Sequence, residues 1–126
     1  MRELLTVMKA LSDPSRLRIV AALAGRELCL CQIVELLGLA TSTVSRHVSI
    51  LERARLVDAR KEGRWTYFRP AGDEGRPEAR EAAALVTKAL ARDSRVRADA
   101  QRLRQVLKLN REELCRRQNR QSGCRC

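Results

Sequence analysis

Leu39-Ala40-Thr41-Ser42-Thr43-Val44-Ser45-Arg46-His47-Val48-Ser49-Ile50-Leu51 is the stretch on which the reading of this chain turns. Val44, Val48 and Leu51 recur at helical spacing, the apolar stripe of a helix expected from about Ser42 to Ala54. Thr41, Ser42 and Thr43 supply side-chain oxygens where the first helical amides lack partners. Ser42, Thr43, Ser45, Arg46 and Ser49 fall mostly off the stripe, a short polar face with one cation. Upstream, Ile33, Val34, Leu36 and Leu37 form the inward side of a helix expected from about Leu28 to Leu37. Gly38 ends it by adopting a left-handed backbone. Helix, glycine turn, then a helix with a small polar outer face is the helix-turn-helix pattern, whose second helix enters the DNA major groove. Thr41, Ser42, Thr43, Ser45, Arg46 and Ser49 are therefore expected DNA contacts. His47, at the border of the stripe, reads as a packing side chain or as a further base contact.

Working outward, Leu56–Arg60 and Trp65–Arg69 read as two strands around Lys61-Glu62-Gly63-Arg64. All three aromatic residues sit on the second strand, and Arg60, Lys61, Arg64 and Arg69 make the hairpin basic. A basic hairpin directly after a recognition helix is the wing of a winged helix. Its turn, with Lys61 and Arg64, is expected along the phosphate backbone or in the minor groove. On the other side, residues 3–11 form a short amphipathic helix, and Asp13-Pro14 caps and opens a second that stops near Gly25. Residues 71–77 read as a linker. Beyond it, Ala82, Val86, Ala89, Val96, Ala100, Leu103, Leu107 and Leu114 follow a seam suited to pairing with another helix. Asp93 and Asn110 interrupt that seam and look like helix starts. A main helix of about 78–92 and shorter helices after it are thus expected, with a loose basic tail.

Composition narrows the function classes. The chain has 126 residues, with 26 Lys and Arg against 15 Asp and Glu, a net charge of +11. Such a surplus points to a polyanionic partner, nucleic acid or an anionic membrane surface. The basic residues are not confined to one face of an amphipathic helix, and no apolar run approaches the ~20 residues of a membrane span, so no membrane partner is expected. The single histidine leaves no partner set for nucleophilic catalysis and cannot build a His-rich zinc site, so no enzyme is expected. No signal peptide opens the chain, so the expected location is cytoplasmic and the five cysteines are expected as reduced thiols.

Sulfur has no part in reading DNA, so Cys29-Leu30-Cys31 needs its own reason. Cysteine is often a small buried hydrophobe, which would explain either residue alone. Two cysteines two apart on a helix point ~200° from each other, so a shared ion would have to distort the first helical turn. Thiolates favour soft or thiophilic ions. A third thiol would come from Cys115, on an expected helix, or from Cys124 or Cys126 in the tail.

Leu11-Ser12-Asp13-Pro14-Ser15-Arg16-Leu17-Arg18-Ile19, ELCLCQI (27–33), STVSRHVSIL (42–51) and KEGRWTYFRP (61–70), in that order, resemble the ArsR/SmtB family of metal-sensing repressors. The resemblance covers about residues 3–92. It implies a mainly α fold with a small β-hairpin: a winged helix-turn-helix with a C-terminal helical dimerisation extension. Residues 1–92 would be the DNA-binding and dimerisation domain, and 93–126 a helical extension with a cysteine-containing basic tail. It also implies a homodimer, paired through its first and last helices, on double-stranded operator DNA with an inverted repeat.

The motif from Glu27 to Cys31 resembles the thiol site of the family's arsenite, antimonite, cadmium or lead sensors. Two departures matter. The position where arsenite sensors of the best-known pattern carry a third cysteine is Val34 here, and no cysteine precedes Cys29, as it does in the cadmium and lead sensors. The leading expectation is a repressor with no constitutive cofactor, released by As(III) or Sb(III) bound at Cys29, Cys31 and Cys115, with Cys124 and Cys126 as the other candidates. The alternatives are the same repressor responding to Cd(II)/Pb(II) or to cysteine oxidation, and a dimeric interaction module with structural cysteines.

Overall fold

A computed structural model describes residues 1–72 and 75–122 of the chain. Its elements run α1 (Arg2–Leu11), α2 (Pro14–Ala22), β1 (Leu28–Cys29), α3 (Leu30–Leu37), α4 (Thr41–Arg53), β2 (Val57–Glu62), β3 (Trp65–Pro70), α5 (Pro77–Ala89), α6 (Ser94–Val106) and α7 (Arg111–Ser122). Local chemistry sets most of these bounds. The Asp13 carboxylate accepts the Arg16 amide at 3.0 Å, and Pro14 opens α2 where no N–H is needed. Gly38, at φ 68°, ends α3 and donates its N–H to the Val34 carbonyl at 2.9 Å. The recognition helix α4 begins one residue earlier than expected. Its N-cap is Ala40, with no side-chain hydrogen bond, so the threonine and serine oxygens do not cap it.

Two sequence expectations are corrected here. The helix expected from Leu28 starts at Leu30, because Leu28 and Cys29 are extended and pair with β3. The expected two-stranded wing is accordingly part of a three-stranded antiparallel sheet of order β1-β3-β2. The register runs from Val57↔Pro70 to Glu62↔Trp65 on one side of β3, and Leu28↔Phe68 and Cys29↔Tyr67 on the other. The physical reason is that β3 offers a free edge once the hairpin forms. Two extended residues next to it satisfy more backbone groups than one more frayed helical turn.

One apolar core joins the helix-turn-helix to the helices after the wing. Val7, Ile19, Leu23, Ile33, Val44, Leu51, Leu56, Val86, Leu103 and Val106 all belong to it. The region after the linker is three separate helices rather than one coiled coil. Asp93 accepts the Arg95 and Val96 amides to start α6, and Asn110 accepts the Glu113 amide at the start of α7. A two-pronged ion pair, Arg18 to Asp99 at 2.8 and 2.9 Å, fastens α6 to α2, and Arg102–Glu35 fastens it to α3. Leu107, a member of the expected seam, is 45% exposed. α1 packs against α5, and Leu4, Leu5 and Met8 of α1 and Leu85 of α5 stay exposed. Among the described residues no helix is long and apolar enough to cross a membrane.

Candidate thiol site and DNA-binding face

The strand-to-helix junction changes the geometry of the cysteine pair. Cys29 is the extended N-cap of α3 (φ −77°, ψ 154°), and Cys31 lies in the first helical turn. The helical argument that they face opposite ways therefore does not apply. Both are fully buried free thiols, and they lie in one buried cluster. Gln32 completes a capping box, its Oε1 accepting the Cys29 amide at 2.9 Å, with sulfur in the place usually held by a hydroxyl. The Cys-x-x-Gln spacing was the sequence signal that could have located this helix start.

The pair is electrostatically unequal. The Cys31 S–H donates to the Cys29 sulfur, the backbone amides of Cys31 and Gln32 add to that, and the Arg111 charge contributes. Against the opposing effect of burial, these bring the Cys29 thiol down to about 7. Cys31 holds the shared proton, and burial adds to this, so its thiol is pushed well above the ordinary range. The downward shift gives Cys29 thiolate character, which suits a nucleophile and a soft-ion donor.

α7 closes over this pair. Leu114 is buried with Cys29, Cys31 and Tyr67, and Trp65 packs against the same cluster. The Gln118 amide nitrogen donates to the Cys31 carbonyl at 2.9 Å. Arg111 donates to the Tyr67 hydroxyl and stands 5.5 and 5.9 Å from the ring centres of Tyr67 and Trp65. At the wing tip, Arg64 pairs with Glu112 of α7 at 3.2 Å and lies 5.2 Å from the Trp65 ring. Arg60 grips Glu27 at 2.6 and 2.8 Å and stacks 4.6 Å over Tyr67. Arg60, Tyr67, Arg111 and Gln118 are residues around the pair that sequence reasoning missed, since each is brought in by tertiary packing, whereas Gln32 was legible from its spacing.

Cys115 is buried on α7 beside Leu114, but it is disulfide-bonded rather than a free thiol. The expectation of reduced thiols thus holds for Cys29 and Cys31 and not for Cys115. Cys124 and Cys126 lie outside the described residues. Among the described residues, no three His, Cys, Asp or Glu side chains are grouped closely enough to hold a metal ion.

The expected DNA face divides by exposure. Ser42, Ser45, Arg46 and Ser49 of α4 are exposed, as are Lys61 and Arg64 of the wing, while Thr43 is half-buried. Thr41 is 4% exposed, at the first turn of α4. His47 is half-buried: its Nδ1 is 3.1 Å from the Arg16 guanidinium and 4.0 Å from the Asp13 carboxylate. Arg16 also donates to the Ala10 and Lys9 carbonyls, so His47 sits in a junction of α1, α2 and α4.

Comparison with known proteins agrees with this architecture. The model of the arsR family of bacterial regulatory proteins matches residues 13–59. An uncharacterized HTH-type transcriptional regulator of Methanocaldococcus jannaschii is 41% identical over 63 residues, 49% of this chain and 71% of that protein. The arsenical resistance operon repressor of Staphylococcus xylosus is 44% identical over 62 residues, 49% of this chain and 60% of that protein. Among solved structures, the homodimeric winged helix-turn-helix domain of a possible ArsR-family regulator from Mycobacterium bovis aligns with a TM-score of 0.60 and 33% identity. That alignment covers 70% of this chain and 79% of the other. The recognition helix, the wing and these likenesses together place the chain in the ArsR family of winged helix-turn-helix transcriptional regulators.

Proposed function

We propose that the chain is a homodimeric repressor of an inverted-repeat operator, and that As(III) or Sb(III) captured by Cys29 and Cys31 releases it from DNA. The observation that carries this reading is the buried pair of free thiols at the start of α3, the helix that packs directly on recognition helix α4. Each thiol would displace one hydroxide of the trivalent acid as water, with no change of oxidation state. Cys115, once its disulfide is reduced, is a candidate for a third sulfur, and three thiolates suit a trigonal As(III) or Sb(III) ion. Cys124 and Cys126 are further candidates.

The route from ligand to DNA is short. Cys29 is the register partner of Tyr67 on β3, so a ligand on its sulfur acts on the wing sheet as well as on α3. Ser42, Thr43, Ser45, Arg46, Ser49 and the wing residues Lys61 and Arg64 would meet DNA. Thr41 and His47 would hold α4 in place behind them. A thousandfold loss of operator affinity requires a coupling of ~4 kcal/mol between the two sites. Residues 1–92 would form the DNA-binding and dimerisation unit, with residues 93–126 bringing α7 and its cysteine to the thiols.

Arsenite titration of the operator complex in a gel shift, under reducing conditions, tests the reading. The wild type is expected to dissociate, and Cys29→Ser/Cys31→Ser to stay bound at the same arsenite concentration. Release of the double variant at that concentration sinks the site assignment. The Cys115 disulfide favours a second reading, the same repressor responding to cysteine oxidation. Peroxide-driven release without any response to arsenite, Cd(II) or Pb(II) would select it.

A further inference from the structure

Cys29 and Cys31 are completely inaccessible to water, yet any inducer or oxidant must reach them from solution. Two elements cover them. One is β3, paired to a strand on each edge and so the firmest part of the sheet. The other is α7, which packs on α3 and lays Leu114 on the thiols. Its polar contacts include Gln118 to the Cys31 carbonyl, Arg111 to the Tyr67 hydroxyl, and the exposed Arg64–Glu112 pair. The exposed ion pair holds weakly, and displacing a single helix costs less than unfolding the core.

We propose that α7 is a lid over the thiol pair, and that the opening which exposes Cys29 and Cys31 simultaneously releases the wing. The coupling is built into the contact set. Arg111 and Glu112 hold Tyr67 and Arg64 of the hairpin, while Leu114 and Gln118 hold the thiols, all within two turns of one helix. The lid cannot leave the sulfurs without letting go of the wing tip. A ligand that lodges under α7 therefore changes what holds Arg64, a residue aimed at DNA. This rests on the proposal that the thiols are the inducer site.

The labelling measurement needs neither inducer nor DNA. The reduced full-length chain is treated with iodoacetamide, which forms a thioether on sulfur and expels iodide, and is then digested with trypsin. Mass spectrometry follows the peptide of residues 27–46, which carries both thiols. Wild-type labelling is expected to be slow compared with the urea-unfolded chain. Leu114→Ala should speed it at least about tenfold and Gln118→Ala about threefold, because labelling follows the population of the open state. The single tryptophan, Trp65, should shift its emission in Leu114→Ala as Arg111 leaves its ring.

Circular dichroism melting checks that each variant folds. If Leu114→Ala does not fold, Gln118→Ala and Arg111→Ala carry the test. Wild-type labelling as fast as the unfolded chain, or unchanged labelling in the folded variants, overturns the lid. Arsenite-insensitive DNA binding with accelerated labelling would instead sink the inducer reading and leave the lid standing.

Discussion

Arg55 holds a backbone conformation, φ 64°, that suits glycine and strains a side chain bearing a Cβ. It ends α4, with its amide on the Glu52 carbonyl and the next amide on the Leu51 carbonyl. Arg55→Gly is expected to stabilise the fold by about 0.5–1 kcal/mol and raise the melting temperature by a few degrees, read by circular dichroism. An unchanged or lower melting temperature would mean that the guanidinium makes a contribution that outweighs the strain. Cys29 provides a second residue-scale test. Only the thiolate attacks, so its alkylation rate should rise with pH through a midpoint of about 7. Cys31→Ala removes the S–H donor, the largest cause of that shift, and should move the midpoint upward. Peptide-resolved labelling at stepped pH measures both. The spacing of the two cysteines was plain in the sequence. Their meeting in one buried cluster was not, because it depends on Cys29 being extended.

At the scale of elements, α6 shows two kinds of attachment. Asp93 caps it from within, and Asp93→Ala should cost about 1 kcal/mol, seen as a lower urea midpoint. Arg18 fastens it from α2, with side-chain exposures of 14% and 9% across the Arg18–Asp99 pair. Arg18→Ala leaves the Asp99 carboxylate buried without its partner and should cost more, about 2–4 kcal/mol. Equal losses for the two variants would contradict this ordering. The cap was readable because capping is local: Asp-Ser before a helical run satisfies amides two and three residues on. The ion pair joins residues 81 positions apart, and no spacing rule reaches that far. β1 illustrates the same limit. Leu28 and Cys29 fit an apolar helical pattern, and only the free edge of β3 turns them into a strand.

For the whole molecule, the exposed Leu4, Leu5, Met8 and Leu85 on the packed pair α1 and α5 are the apolar surface that the proposed dimer would bury. Leu5→Glu/Leu85→Glu is expected to sediment as a monomer and to lose at least about a hundredfold in affinity for a two-half-site operator, since each half-site would then bind alone. A wild type that sediments as a monomer at micromolar concentration, or a double variant that binds the operator unchanged, would count against that dimer.

The sequence by itself determined the helix-turn-helix, the basic wing, the breaks at Asp93 and Asn110, and the suspicion attached to Cys29 and Cys31. Each is a matter of periodicity, capping or turn chemistry within a dozen residues. Tertiary structure alone decided that the two thiols share one buried cluster, and that α7 lies across them and holds the wing. Those facts depend on a strand edge, a buried cluster and ion pairs that form only when distant segments are packed together. Cys115 needed both: its helix was legible in the sequence, and its disulfide and its place beside the thiol cover were decided by the fold.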